Sequence, residues 1–258
     1  MTDRSAFDQY ALHHNLVDLD GQVLYCTVAK NACSTLKYNF LTTIYNRQKQ
    51  NYDTDDVNRN IHKLVNPFRL SAHPNAILSR MDAFVITRDP YERLVSAFLD
   101  KFVHPRTLAP FAKSLLENGL YHGSLETLTF EDFFQCILVS EEVDLNEHWM
   151  PQHRHLLRDV NYQLIPVDQI SSHWFLKVRY QQLDSNIRAH TLKYSTDSQP
   201  GSALCSPVSQ LRNVRKDMGS YPSSEAFVTD EIKAQLCHLY QRDVELHGLA
   251  EKQSRATS

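Results

Sequence analysis

Glycine is scarce in this chain, with six residues in 258. Turns that depend on a positive φ should therefore be few. The five cysteines, Cys26, Cys33, Cys136, Cys205 and Cys237, are odd in number and scattered, and no C-x-x-C pair occurs. That argues against a disulfide framework or a zinc ribbon. Free thiols suit a reducing compartment, so a cytoplasmic protein is expected. No apolar run has the length of a signal peptide or a membrane span. There is no excess of positive charge either. A formal net charge of -3 argues against a nucleic-acid binder driven by general attraction. A local basic pocket remains compatible with that sum.

What is present suffices for a sizeable core. The chain is 42% hydrophobic and 22% charged, which places it among ordinary globular proteins. A single domain over residues 1–258 is expected, with a core of about residues 21–249. "GQVLYCTVA", Gly21 to Ala29, is a near-continuous apolar run and reads as a central strand. A helix follows from Thr35, with Leu36, Phe40 and Ile44 on one face. The polar run from Asn46 to Asn60 reads as a surface loop or frayed helix end. "DAFVIT", Asp82 to Thr87, is a second buried strand. It leads into a helix with Asp89 as N-cap and Pro90 at the first position. Thr129 caps another helix, and Asn161 to Val167 is a third strand. Ser195 to Ser209 reads as a loop. A last helix runs from about Asp230 to His247, with Gly248 as its stop. Strands alternating with helices give an α/β fold with a largely parallel sheet. Ligands of such sheets bind beyond the carboxyl ends of the strands.

Two polar segments sit at those ends. In "AKNACST" a strand feeds a helix, and Lys30 occupies the turn with Ser34 and Thr35 behind it. Free N–H groups, the helix dipole, an ammonium and two hydroxyls together suit an anion such as a phosphate. Taken singly, Lys30 also reads as a solvated lysine and Thr35 as a cap. The nucleotide P-loop has G-x-x-x-x-G-K-[ST], whereas here the lysine comes first and both glycines are missing, which counts against ATP or GTP. In the second segment Arg88 stands before a helix N-terminus. Ser96 lies about two turns into that helix, turned away from the Leu94/Phe98 stripe. An arginine fork and a hydroxyl suit a second phosphate. Jointly the two junctions suggest a ligand with two anionic ends.

"VAKNACSTLK" and "FVITRDPYERLVSAFLDKF" resemble the two nucleotide motifs of the sulfotransferases, and in particular the carbohydrate sulfotransferases of the chondroitin, dermatan and HNK-1 type. "NEHWMPQ", Asn146 to Gln152, is similar to that family's HW-x-P-Q segment. "LYQRDVELHGL", Leu239 to Leu249, is similar to its closing Y-x-x-D-x-x-L-x-G element. The resemblance implies a P-loop-like three-layer α/β fold and a sulfonyl donor, PAPS, that leaves as PAP. It implies that Lys30, Asn31, Ala32, Cys33, Ser34 and Thr35 bind the 5′-phosphosulfate, with Lys30 also on the bridging oxygen. It implies that Arg88 and Ser96 bind the 3′-phosphate. No metal is required if Lys30 and the helix N-terminus neutralise the leaving phosphate. The acceptor is a hydroxyl, expected on a carbohydrate.

Two departures accompany the resemblance. Golgi members carry a membrane anchor and have cysteines soon after HW-x-P-Q, where this chain reads "HRHLLRDV". Both fit a soluble, bacterial-type relative and leave the acceptor open. The base that takes the hydroxyl proton is expected first at His62 and then at His148, with an Asp or Glu as the alternative. His73 lies in the same interval as His62. Trp149 suits either a sugar-binding groove or the core. Arg212, Asn213 or Arg215 suits closure over the donor nucleotide, or a solvated charge run. The residues also leave open a nucleotide-dependent kinase and a non-catalytic glycan-binding module on the same fold.

Overall fold

The computed structural model describes residues 4–105, 107–180, 183, 194–195 and 199–257. In chain order the elements are helix α1 (Arg4–His14), strands β1 (Asn15–Asp18) and β2 (Val23–Cys26), and helices α2 (Cys33–Arg47) and α3 (Thr54–Leu64). Strand β3 (Asp82–Thr87) precedes helices α4 (Pro90–Phe98), α5 (Pro110–Asn118) and α6 (Phe130–Val139). Strand β4 (Gln163–Pro166) and helices α7 (Trp174–Tyr180), α8 (Val208–Met218) and α9 (Asp230–Thr257) complete the chain. Two compact units result. One contains Met1–Arg88, Gln152–Ala189 and Asp243–Ser258; the other contains Asp89–Pro151 and His190–Arg242.

The first unit holds the sheet, in the order β1-β2-β3-β4. β2, β3 and β4 run parallel, and β1 pairs antiparallel with β2. Alternation along the strands feeds two cores. Val23, Tyr25, Phe84 and Ile86 point to one, packed with Leu36, Phe40 and Ile44 of α2 and Val57 and Ile61 of α3. Leu24, Cys26, Ala83 and Val85 point to the other, with Leu70, Tyr162 and Ala250. A strand covered on both faces has no polar side to show, which is why β2 and β3 read as unbroken apolar runs. Leu36, Phe40 and Ile44 do share a face, and all three are buried.

The second unit is helical in its described residues. Asp89 caps α4, its carboxylate accepting from the N–H groups of Tyr91 and Glu92 at 2.9 and 3.0 Å, with Pro90 in the first turn. α4 passes directly into a π-helical turn, Leu99–Val103. Such turns insert one extra residue and are often tied to function. Thr129 and Asp132 form a reciprocal capping box at α6. The core is aromatic: Phe98 meets Phe130 edge-on at 5.4 Å, and Phe102 packs on Phe133 at 5.1 Å.

Two expectations are corrected, and one strand is added. The polar run 46–60 contains most of α3, because Asp53 caps it through the N–H groups of Asp55 and Asp56 and Val57 and Ile61 anchor it in the core. β1 was not anticipated. Gly248 does not end the last helix, which continues to Thr257. One glycine costs a helix interior only about 1 kcal/mol, and Ala250 is fully buried just beyond it. Of the loop expected from Ser195 to Ser209, residues 196–198 lie outside the described residues, and α8 starts at Val208.

Candidate functional site

The turn between β2 and α2 takes left-handed backbone without glycine. Lys30 has φ 70° and Ala32 has φ 54°. A Cβ in that region costs about 1–2 kcal/mol per residue, so surrounding contacts must hold the turn in place. Ala32 is the N-cap of α2 and supplies no side-chain cap, and the first turn carries no acidic residue. The first intrahelical bond runs from the Leu36 N–H to the Ala32 carbonyl, 3.1 Å. The N–H groups of Cys33, Ser34 and Thr35 therefore have no acceptor within the helix. Thr35 lies inside the first turn and is not a cap. Lys30 and Cys33 to Thr35 are half-buried, and Lys30 stands two residues before the N-cap of this positive helix end.

Asn31, in the middle of the turn, is fully buried. Its Nδ2 donates to the Ile86 carbonyl at 2.8 Å and to Gln152 Oε1 at 2.6 Å. Gln152 grips the main chain of Arg88 from both sides. Its Oε1 accepts from the Arg88 N–H at 3.1 Å, and its Nε2 donates to the Arg88 carbonyl at 2.7 Å. Those backbone partners leave one orientation for each amide. Asp243 stands behind, accepting from the N–H groups of Gln152 and His153 at 2.5 and 2.9 Å and lying 2.9 Å from His153 Nδ1. Gln152 and Asp243 are 1% and 0% exposed. Arg88 in turn reaches the Lys30 carbonyl with Nη1 at 3.3 Å. Four separate stretches of sequence thus meet at one hydrogen-bonded knot. The quoted motifs contained Gln152 and Asp243, but side-chain type alone gave no sign of whom they hold.

Burial sets the state of two further groups of the first unit. It pushes the Cys26 thiol well above its usual range, so Cys26 is an inert core residue. Burial, then the Lys37 charge, pushes His14 down to about 3, so the ring is neutral at ordinary pH.

The remaining candidates divide between the units. His62 lies exposed in the last turn of α3, in the first unit. His73 lies in the same unit, with Nε2 2.8 Å from the Pro67 carbonyl. Ser96, His148, Arg212 and Arg215 belong to the second. Ser96 is buried, as is nearly every residue of α4, so it does not sit on an outward face. Trp149 is 1% exposed and packs against Phe133, which makes it core. His148 stacks on Phe111 with rings 2° from parallel. Asn146 Oδ1 accepts from the His148 backbone N–H at 3.2 Å, so the same oxygen, 2.5 Å from Nδ1, must accept a proton from the ring as well. In the neutral ring Nε2 is then the basic nitrogen. Arg212 caps the π-helical turn: Nε donates to the Val103 carbonyl at 2.8 Å and Nη2 to that of Phe102 at 3.3 Å, while Nη1 pairs with Glu126. Arg215 lies over the Tyr221 ring at 5.2 Å and contacts His104. Both guanidinium groups, carried by α8, thus have structural partners.

Residues 13–250 match the model of the sulfotransferase family. The chain belongs to that family. The chain is similar to carbohydrate sulfotransferase 14 of Mus musculus, 29% identical over 154 residues, which is 54% of this chain and 38% of the relative. It is 30% identical to carbohydrate sulfotransferase 8 of Homo sapiens over 152 residues, 50% of this chain and 32% of the relative. It is 29% identical to carbohydrate sulfotransferase 12 of Mus musculus over 185 residues, 59% of this chain and 44% of the relative. The match therefore spans less than half the length of these curated relatives. No solved structure matches the chain. Among the described residues, no helix is long and apolar enough to cross a membrane.

Proposed function

We propose that this chain transfers a sulfonyl group from PAPS to a hydroxyl, with a carbohydrate as the acceptor class. The observation that carries the reading is the uncapped start of α2: three backbone N–H groups without helical acceptors, no first-turn carboxylate, and a lysine, Lys30, in the turn that feeds it. An anion there meets a helix dipole and a full positive charge together. Lys30 to Thr35 hold the 5′-phosphosulfate, and Lys30 neutralises the bridging oxygen as the bond to sulfur lengthens. Arg88 takes the 3′-phosphate, and the resemblance of its motif assigns Ser96 to the same group. Membership of the family and the names of the matched relatives support donor and acceptor class.

The acceptor hydroxyl loses a proton as it attacks. We assign that proton to a histidine and place His148 ahead of the exposed His62, because Asn146 orients the ring with Nε2 as its basic atom. Arg212 and Arg215 remain candidates for the nucleotide, Arg215 ahead because Arg212 is committed to the π-helical turn. Five free thiols, two of them exposed, support a reducing, cytoplasmic setting.

The test pairs binding with turnover. PAP should raise the thermal midpoint of the wild-type protein, and Lys30→Ala should abolish labelling of a polysaccharide panel by radiolabelled PAPS. No midpoint shift with PAP, beside a clear shift with ATP and magnesium, would replace the reading with a nucleotide-dependent kinase.

A further inference from the structure

The strained turn and the Arg88 junction each have to be held in place. At the turn, Lys30 and Ala32 occupy left-handed backbone that a side chain disfavours. Asn31 spends both Nδ2 protons on the Ile86 carbonyl and Gln152, while its Oδ1, buried, has no hydrogen-bond partner among the described residues. A buried acceptor left unpaired is costly, so the position of this amide is set by what Nδ2 reaches. At the second junction the Arg88 main chain lies past the end of β3, where the ladder no longer supplies partners to both its groups. Gln152 supplies them. One amide thus satisfies both junctions at once, with Oε1 shared between the Arg88 N–H and Asn31.

We propose that Gln152 is a positioning residue, which fixes the spacing between the Lys30–Thr35 turn and the root of the Arg88 side chain so that both phosphates of one donor are engaged together. Asp243 is its support. Two N–H groups of the Gln152–His153 main chain end on that carboxylate, which is wholly buried. One turn further along α9, His247 Nδ1 lies 3.1 Å from Thr87 Oγ1, so the same helix also braces the residue before Arg88. This inference rests on the donor reading above and goes beyond it: discrimination between a bisphosphate and a monophosphate is assigned to a residue that touches neither phosphate.

The experiment titrates PAP and AMP into the full chain by calorimetry, for the wild type, Gln152→Met and Gln152→Glu. The wild type should prefer PAP. Gln152→Met keeps the volume and loses both grips on Arg88, whereas the turn loses one Asn31 bond and keeps the other, to the Ile86 carbonyl; it should lose about tenfold in PAP affinity, with AMP much less affected. Its preference for the 3′-phosphate therefore shrinks. In Gln152→Glu the carboxylate still accepts from the Arg88 N–H and Asn31 but cannot donate to the Arg88 carbonyl. The PAP preference should be low at neutral pH and recover, relative to wild type at the same pH, as the carboxyl takes up a proton. Should either variant fail to fold, the other carries the comparison. An unchanged PAP-to-AMP ratio in Gln152→Met, or an equal loss for both ligands, overturns the positioning role and leaves the donor reading intact. A wild type that does not distinguish PAP from AMP overturns the donor reading itself.

Discussion

Replacing Ala32 with glycine should stabilise this protein, whereas the same substitution elsewhere in a helix should destabilise it. Ala32 sits at φ 54°, ψ 25° and caps α2 without a side-chain hydrogen bond. Releasing its Cβ from left-handed backbone returns about 1–2 kcal/mol. Glycine is also a better N-cap than alanine, which adds a few tenths. The gain is offset by the extra freedom of glycine in the unfolded chain, about 0.4–1 kcal/mol. The net expectation for Ala32→Gly is a stabilisation of about 1 kcal/mol, or roughly 2–4 °C in the unfolding midpoint of a chain this size. Ala234 provides the contrast, being exposed within α9. There Ala→Gly should cost about 1 kcal/mol and lower the midpoint by a similar amount. Differential scanning calorimetry of the two variants beside the wild type reads the sign directly. A midpoint that falls in Ala32→Gly as it does in Ala234→Gly would show that the turn is not strained, and the account of why it needs Gln152 would go with it.

Arg93 is fully buried and donates to the Met150 and Glu147 carbonyls at 2.8 and 2.7 Å. An ammonium cannot reproduce that planar fork, so Arg93→Lys should lose about one charge-assisted hydrogen bond, about 2 kcal/mol, seen as a lower denaturant midpoint with an unchanged slope. His14, 7% exposed, is held neutral down to about 3 in the folded state. Between that value and about 6.5 the unfolded chain binds a proton that the folded chain refuses. Its contribution is thus complete above about pH 6.5 and declines as pH falls, by at most about 1.4 kcal/mol per unit, until the folded ring titrates. His14→Phe should flatten the fall in stability over that interval; an unchanged pH profile would contradict the buried neutral ring.

Much of this was legible in the chain itself, for a physical reason. Strands buried on both faces must be apolar throughout, so β2 and β3 stand out as runs. Capping is local chemistry, so Asp89, Pro90 and Thr129 mark their helices without help from the fold. The pairing of Lys30 and Arg88 follows from two strand ends in a parallel sheet. Helix ends and amphipathic helices were harder: α3 is anchored in the core by little more than Val57 and Ile61 in a polar segment, and Gly248 looks like a stop until Ala250 is seen to be buried. Only the tertiary structure decided that a turn without glycine adopts the left-handed backbone glycine usually supplies. Only it decided that Trp149 is core, that Ser96 is buried, and that Arg212 caps a π-helical turn. It alone brought Asn31, Arg88, Gln152 and Asp243 together, because a hydrogen bond between residues as far apart as 152 and 243 leaves no trace in local pattern and exists only once the chain has folded around it.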